Sequence, residues 1–96
     1  MNDFSYIHVR WLHSSSDFPV DLWCELDADR QEVRKVEIWL DGRVGYVSLA
    51  GGTRDTELSQ DPVPSMEDLD LDPEFQAEAI TKADFETCWI DATGKT

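Results

Sequence analysis

Ninety-six residues with four Trp, four Phe and two Tyr in a 41% hydrophobic composition supply one core and not two, so the chain reads as a single domain, 1–96. Against 8 Lys and Arg stand 21 Asp and Glu, a formal charge of −13, which disfavours direct binding to nucleic-acid phosphates or to anionic membranes. No run approaches the roughly 18 apolar residues of a membrane span, and the opening MNDFSYIHVRW lacks the pattern of a signal segment, so a soluble, cytoplasmic protein is expected.

Residues 6–13, YIHVRWLH, alternate as a strand does, with Ile7, Val9 and Trp11 on one face and His8 and Arg10 on the other. The polar cluster HSSSDFP then turns the chain, and 20–27, VDLWCELD, alternates again with Leu22, Cys24 and Leu26 to one side. After a short polar connector, 32–40 and 43–50 flank Asp41-Gly42, a dipeptide that marks a hairpin. Taken as a two-residue turn, it sets Trp39 opposite Val44 and Ile38 opposite Gly45. One face then carries Val36, Ile38, Leu40, Val47 and Leu49, the expected core side.

Residues 51–64 are rich in Gly, Pro and polar side chains without periodicity and read as a long loop. Ser65 can cap a short helix that Pro73 ends, and 75–80 is either a short strand or an extended link. Thr81 with Asp84 forms a capping box for the last helix, whose Phe85, Cys88, Trp89 and Ala92 fall on one stripe before Gly94. The expectation is an α+β fold: a four-stranded antiparallel meander over 6–50, a loop over 51–64, and helices within 65–93 packed on one face of the sheet. Val36, Ile38, Leu40, Leu22, Cys24, Phe85 and Trp89 are the expected core.

The candidate chemistry is thin. His13, Ser14 to Ser16 and Asp17 supply the residue types of a hydrolase triad, but neighbours on one turn do not converge as triad members must. His8 and His13 point to opposite faces of a strand, and no third ligand completes a tetrahedral site. Asp68-Leu-Asp70-Leu-Asp72 opens like a calcium-binding loop, yet Pro73 stands where the turn needs Gly and Ala79 where it needs a bidentate Glu. Cys24 and Cys88, 64 positions apart, read as two reduced core thiols. Neither a catalytic residue, a metal nor a cofactor is expected, and the chain is read as a binding protein rather than an enzyme.

Charge placement says more. Residues 1–50 have nine acids and five bases, whereas 51–96 have twelve acids and three bases, so the second half carries most of the excess. A solvated face kept soluble by charge is one reading; the other is a surface that steers a basic protein partner, with Glu67, Asp68, Asp70, Asp72 and Glu74 as its centre. Trp23 and Trp39 fall among carboxylates on the polar sides of their strands. They serve either as apolar and cation–π anchors for that partner or as packing residues roofed by the C-terminal segment.

The segments YIHVRWLH, ELDADRQEVRKVEIWLDGRVGY and ITKADFETCW together resemble a family of small bacterial domains of unknown function. The family pattern has a Y-I-x-V-R-W-x-H start and an E-V-R-K-V-E-I-x-x-D-G-R-x-G-Y centre. The resemblance brings no catalytic residues with it. Its small acidic members are similar in kind to immunity proteins of bacterial toxin systems, which implies an inhibitor that neutralises a basic toxin by covering its surface. The alternatives from the same charge are a nucleic-acid mimic that sequesters a DNA- or RNA-binding protein, and a small enzyme.

Overall fold

The alternating segments of the first half form the middle of an antiparallel sheet in the computed structural model, which describes residues 3–94. Its elements are β1 (Ser5–Trp11), β2 (Asp21–Leu26), β3 (Glu32–Ile38), β4 (Val44–Ser48), β5 (Gly51–Gly52), α1 (Met66–Asp70), β6 (Phe75–Ile80) and α2 (Lys82–Thr93). The α+β class and the β1-to-β4 meander are as expected. The sheet, however, has six strands and not four, in the order β5-β4-β3-β2-β1-β6. β5 is a glycine pair within the stretch read as loop, and β6 runs antiparallel to β1 from Tyr6 opposite Ile80 to Trp11 opposite Phe75.

The hairpin register differs from the expected one by a single residue. Ile38 faces Val44 and Val36 faces Tyr46, because the turn holds Leu40, Asp41 and Gly42 rather than two residues. Gly42 sits at φ 88° and donates its N–H to the Trp39 carbonyl at 3.0 Å. This is a three-residue turn closed by a left-handed glycine, which uses the same Asp-Gly dipeptide as the tighter turn. A slip of one residue moves every β4 side chain to the other face. Val44 and Tyr46 therefore join Val36 and Ile38, Val47 lies across from Lys35, and Leu40 and Leu49 leave the core to sit in turns at 54% and 79% exposure.

The two helices cover opposite faces of the sheet, not one. Met66 and Leu69 of α1, with Val63 before it, pack on Ile7, Val9, Cys24 and Leu26. Phe85 and Trp89 of α2 pack on the other face, against Tyr6 and Tyr46 respectively. β6 is the reason: it pairs along the free edge of β1 between the two helices, so the chain passes from one face to the other around that edge. Thr81 and Asp84 form the expected capping box of α2, and Gly94 is its left-handed C-cap.

Loop 53–64 lies on the α1 face and roofs a polar patch. A bulge pairs Glu25 with Arg34 and Leu26 with Glu32, leaving Val33 as the extra residue. Glu32 thereby reaches Lys35 at 3.0 Å and accepts the Ser59 N–H at 2.6 Å. Arg30, left-handed at φ 63°, clamps the end of the same loop by donating Nε to the Val63 carbonyl and Nη2 to that of Pro64. Gly45 has no side chain because the loop comes down on it: a Cβ there would stand 2.1 Å from Thr56 Oγ1. Thr56 is 2% exposed, and turning its hydroxyl aside would still leave its own Cβ 3.2 Å from the added methyl. Gly45→Ala is therefore expected to lower stability by about 1–3 kcal/mol, as overpacking does. Urea unfolding checks this, and a midpoint equal to that of the parent would show that the loop lifts freely.

Candidate functional site

The acidic run is displayed by a very short helix. Ser65 Oγ accepts the Asp68 N–H at 3.2 Å and starts α1. Met66 and Leu69, three apart, take the inward face, which turns Glu67, Asp68 and Asp70 to solvent. Leu71 then closes the helix, with its N–H directed at the carbonyls of Asp68 and Leu69. Asp72 Oδ1 accepts the Glu74 N–H at 2.9 Å and turns the chain into β6. The result is a corner with four exposed carboxylates, a half-buried fifth at Asp72, and Leu71 among them at 81% exposure. None of the five acids forms an ion pair with a base among the described residues.

Neither tryptophan belongs to this corner. Trp39 is only 5% exposed, so of the two alternatives it is a packing residue and not an open anchor. The three-residue turn sets it against Arg43, whose guanidinium lies 4.6 Å from the ring centroid, so its own hairpin already supplies the cation. Trp23 lies on the α2 face, away from α1, and its ring stacks on His8 at 4.1 Å between centroids. With Val36, Ile38 and Val44 it floors a groove of about 350 Å³ beneath α2. The structure thus gathers the five acids and separates both tryptophans from them. Leu71 was the apolar residue that spacing alone could have found, since Leu69 and Leu71 are two apart and a helix cannot bury both on one face.

A second charged group, inside the α2 interface, was not foreseen. Arg34 donates Nε to Glu25 Oε1 at 2.7 Å and Nη2 to Glu25 Oε2 at 3.0 Å, and Nη2 also pairs with Glu86 of α2. Its guanidinium lies 4.9 Å from the Phe85 ring and 5.1 Å from that of Trp89. Burial alone would raise the Glu25 carboxyl, but the hydrogen bonds from Arg34 and Tyr6, with the Arg34 charge, more than reverse it and hold it low. The Tyr6 phenol, buried and bonded to Glu25 at 2.8 Å, is pushed up to about 12 and remains a donor. Glu37, on the other face, is raised chiefly by burial, against the lowering effects of Lys35 and Thr56.

The sequence of these elements matches a domain of unknown function, DUF6881, over residues 5–94. The chain belongs to that family. No curated protein and no solved structure matches it.

In this DUF6881 domain the groups that resemble catalytic parts are engaged elsewhere. His13 Nε2 lies 2.8 Å from the Pro19 carbonyl and Nδ1 accepts the Ser15 N–H at 3.1 Å, so both ring nitrogens hold the turn. Cys24 and Cys88 are free thiols on opposite faces of the sheet. Burial pushes both up, Cys88 to about 11 with Asp91 and Asp21 adding to the effect, the reverse of an activated nucleophile. Among the described residues no group of three or more His, Cys, Asp or Glu is placed to hold a metal ion, and no helix is long and apolar enough to cross a membrane.

Proposed function

We propose that this domain is a bacterial, cytoplasmic binding protein of the immunity or inhibitor kind, which neutralises a basic toxin by covering its surface with the α1–β6 corner. The observation that carries the reading is an exposed leucine, Leu71, set among five carboxylates that have no described basic partner. An apolar centre within a charged rim is the anatomy of a protein interface. A nucleic-acid mimic would instead present rows of carboxylates without an apolar centre, so Leu71 favours the inhibitor. The toxin's Lys and Arg would be drawn in by the net charge of −13 and held where Leu71 is desolvated.

Two kinds of substitution then act on different rate constants. Charge reversal of Glu67, Asp68 and Asp70 slows association, and added salt does the same by shortening the screening length to about 8 Å at physiological strength. Leu71→Ala leaves association unchanged and speeds dissociation, at a cost of about 1–2 kcal/mol. Surface plasmon resonance against the product of the adjacent reading frame measures both. Absence of binding, or association indifferent to salt and to charge reversal, would refute the assignment and leave the acidic run as a solvated face.

A further inference from the structure

The groove under α2 is a separate feature from the acidic corner, on the opposite face of the sheet. Helical spacing explains why it is open. Phe85 and Trp89, four apart, bring one face of α2 down on Tyr6, Arg34 and Tyr46. Asp84, Cys88 and Asp91 lie on the adjoining face, which stands off the sheet over Trp23, Val36, Ile38 and Val44. The gap of about 350 Å³ falls in the size range of pockets that hold small organic ligands. Its floor is aromatic and aliphatic, so what it takes must have an apolar body.

The rim sets the charge. Asp84 and Asp91 are exposed, seven residues apart on one helix, and thus about 10 Å apart along its axis. Asp84 accepts the Thr81 N–H with one carboxylate oxygen, and neither aspartate pairs with a described base. An anion in the groove would face both carboxylates, and a neutral apolar guest would strip water from them without compensation. A cation would gain from each, and an ammonium close to the Trp23 ring would gain further from its π-system. We propose that the groove binds a small amphipathic amine, with its apolar body against Trp23 and Ile38 and its ammonium between Asp84 and Asp91.

The test is a titration of the ¹⁵N-labelled whole chain, followed by heteronuclear NMR, with three probes of one shape. 2-Phenylethylamine is the cation, 2-phenylethanol the neutral analogue and 3-phenylpropionate the anion. The amine is expected to shift the Trp23 indole and Cys88 amide signals saturably at millimolar concentration and to bind about three- to tenfold more tightly than the alcohol, with no shifts from the anion. Asp84→Asn/Asp91→Asn keeps the groove's shape, and the amide at 84 still accepts from Thr81; it should abolish that preference. Ala92→Leu, which fills the groove from its half-buried position on α2, should abolish binding of the amine and the alcohol alike. Equal affinity for amine and alcohol, an undiminished preference in the double variant, or no shift at the groove with any probe would each overturn the proposal. So would a peptide amide beginning with Phe that binds about tenfold more tightly than 2-phenylethylamine, because the site would then read a chain end and not a small molecule.

Discussion

Replacing Arg34 by Met is expected to lower stability by about 3–5 kcal/mol near neutral pH, because it leaves the Glu25 carboxylate buried without its partner. Glu25 is 6% exposed, and Arg34 gives it two hydrogen bonds while also reaching Glu86 on α2. Methionine keeps a side chain of similar length and removes only the guanidinium that lies over Phe85 and Trp89, so the loss reports the charge more than the volume. For a chain of this size each kcal/mol moves the thermal midpoint by about 4–8 °C, which places the expected drop well within reach of a melting curve.

The pH dependence separates charge from packing. A carboxyl held below its ordinary range in the folded state contributes stability that is present above the unfolded pKa and is lost as pH falls through the folded one. In the Met variant burial is no longer opposed by Arg34, so the Glu25 pKa rises and that contribution disappears. The gap between parent and variant should therefore be widest near neutrality, should narrow as the pH falls through the raised Glu25 pKa of the variant, and should close only below the lowered Glu25 pKa of the parent, where both forms carry a protonated Glu25. A gap that stays constant from neutral to acid would assign the loss to packing and not to the ion pair.

How far the sequence could be read depended on which forces were local. Alternation in 6–13 and 20–27, the Ser65 and Thr81 caps and the Gly94 stop are decided within a few residues, and the structure has the caps and the stop there and strands over Ser5–Trp11 and Asp21–Leu26. The hairpin register is not local in this sense, since Asp-Gly serves turns of two and of three residues and the choice lies with Trp39 and Arg43 across the turn. β6 alternates only weakly, with small Ala77 and Ala79, because it is held by backbone bonds to the edge of β1. Lys35 and Glu37 have the spacing of a solvated face, yet loop 53–64 buries them, and nothing in 32–38 records a roof supplied by distant residues. At the corner, the acids were legible from charge alone. Alternation left Trp39 as either an open anchor or a packing residue, and the turn contact with Arg43 that helps decide between them lies outside that pattern.

Phe85→Ala is expected to cost about 3–5 kcal/mol, the range for emptying a large aromatic site in a core. Phe85 is fully buried, whereas Trp89, one turn on, remains partly exposed, so Phe85 is the side chain on which the docking of α2 depends. Its ring lies 5.5 Å from that of Tyr6 and 6.2 Å from that of Trp89, with Arg34 above it at 4.9 Å. A twelve-residue helix is marginal by itself in water, so losing this contact should raise amide exchange along α2 while β2 and β3 stay protected. The aromatic and the ionic contacts share one guanidinium, and their effects should not add. In a double-mutant cycle, Phe85→Leu keeps the chain folded, and its cost measured with and without Arg34→Met should differ by about 0.5–2 kcal/mol, the cation–π share of the interface. Strict additivity would mean that Arg34 stabilises α2 through Glu86 and Trp89 and that its position over the Phe85 ring contributes no energy.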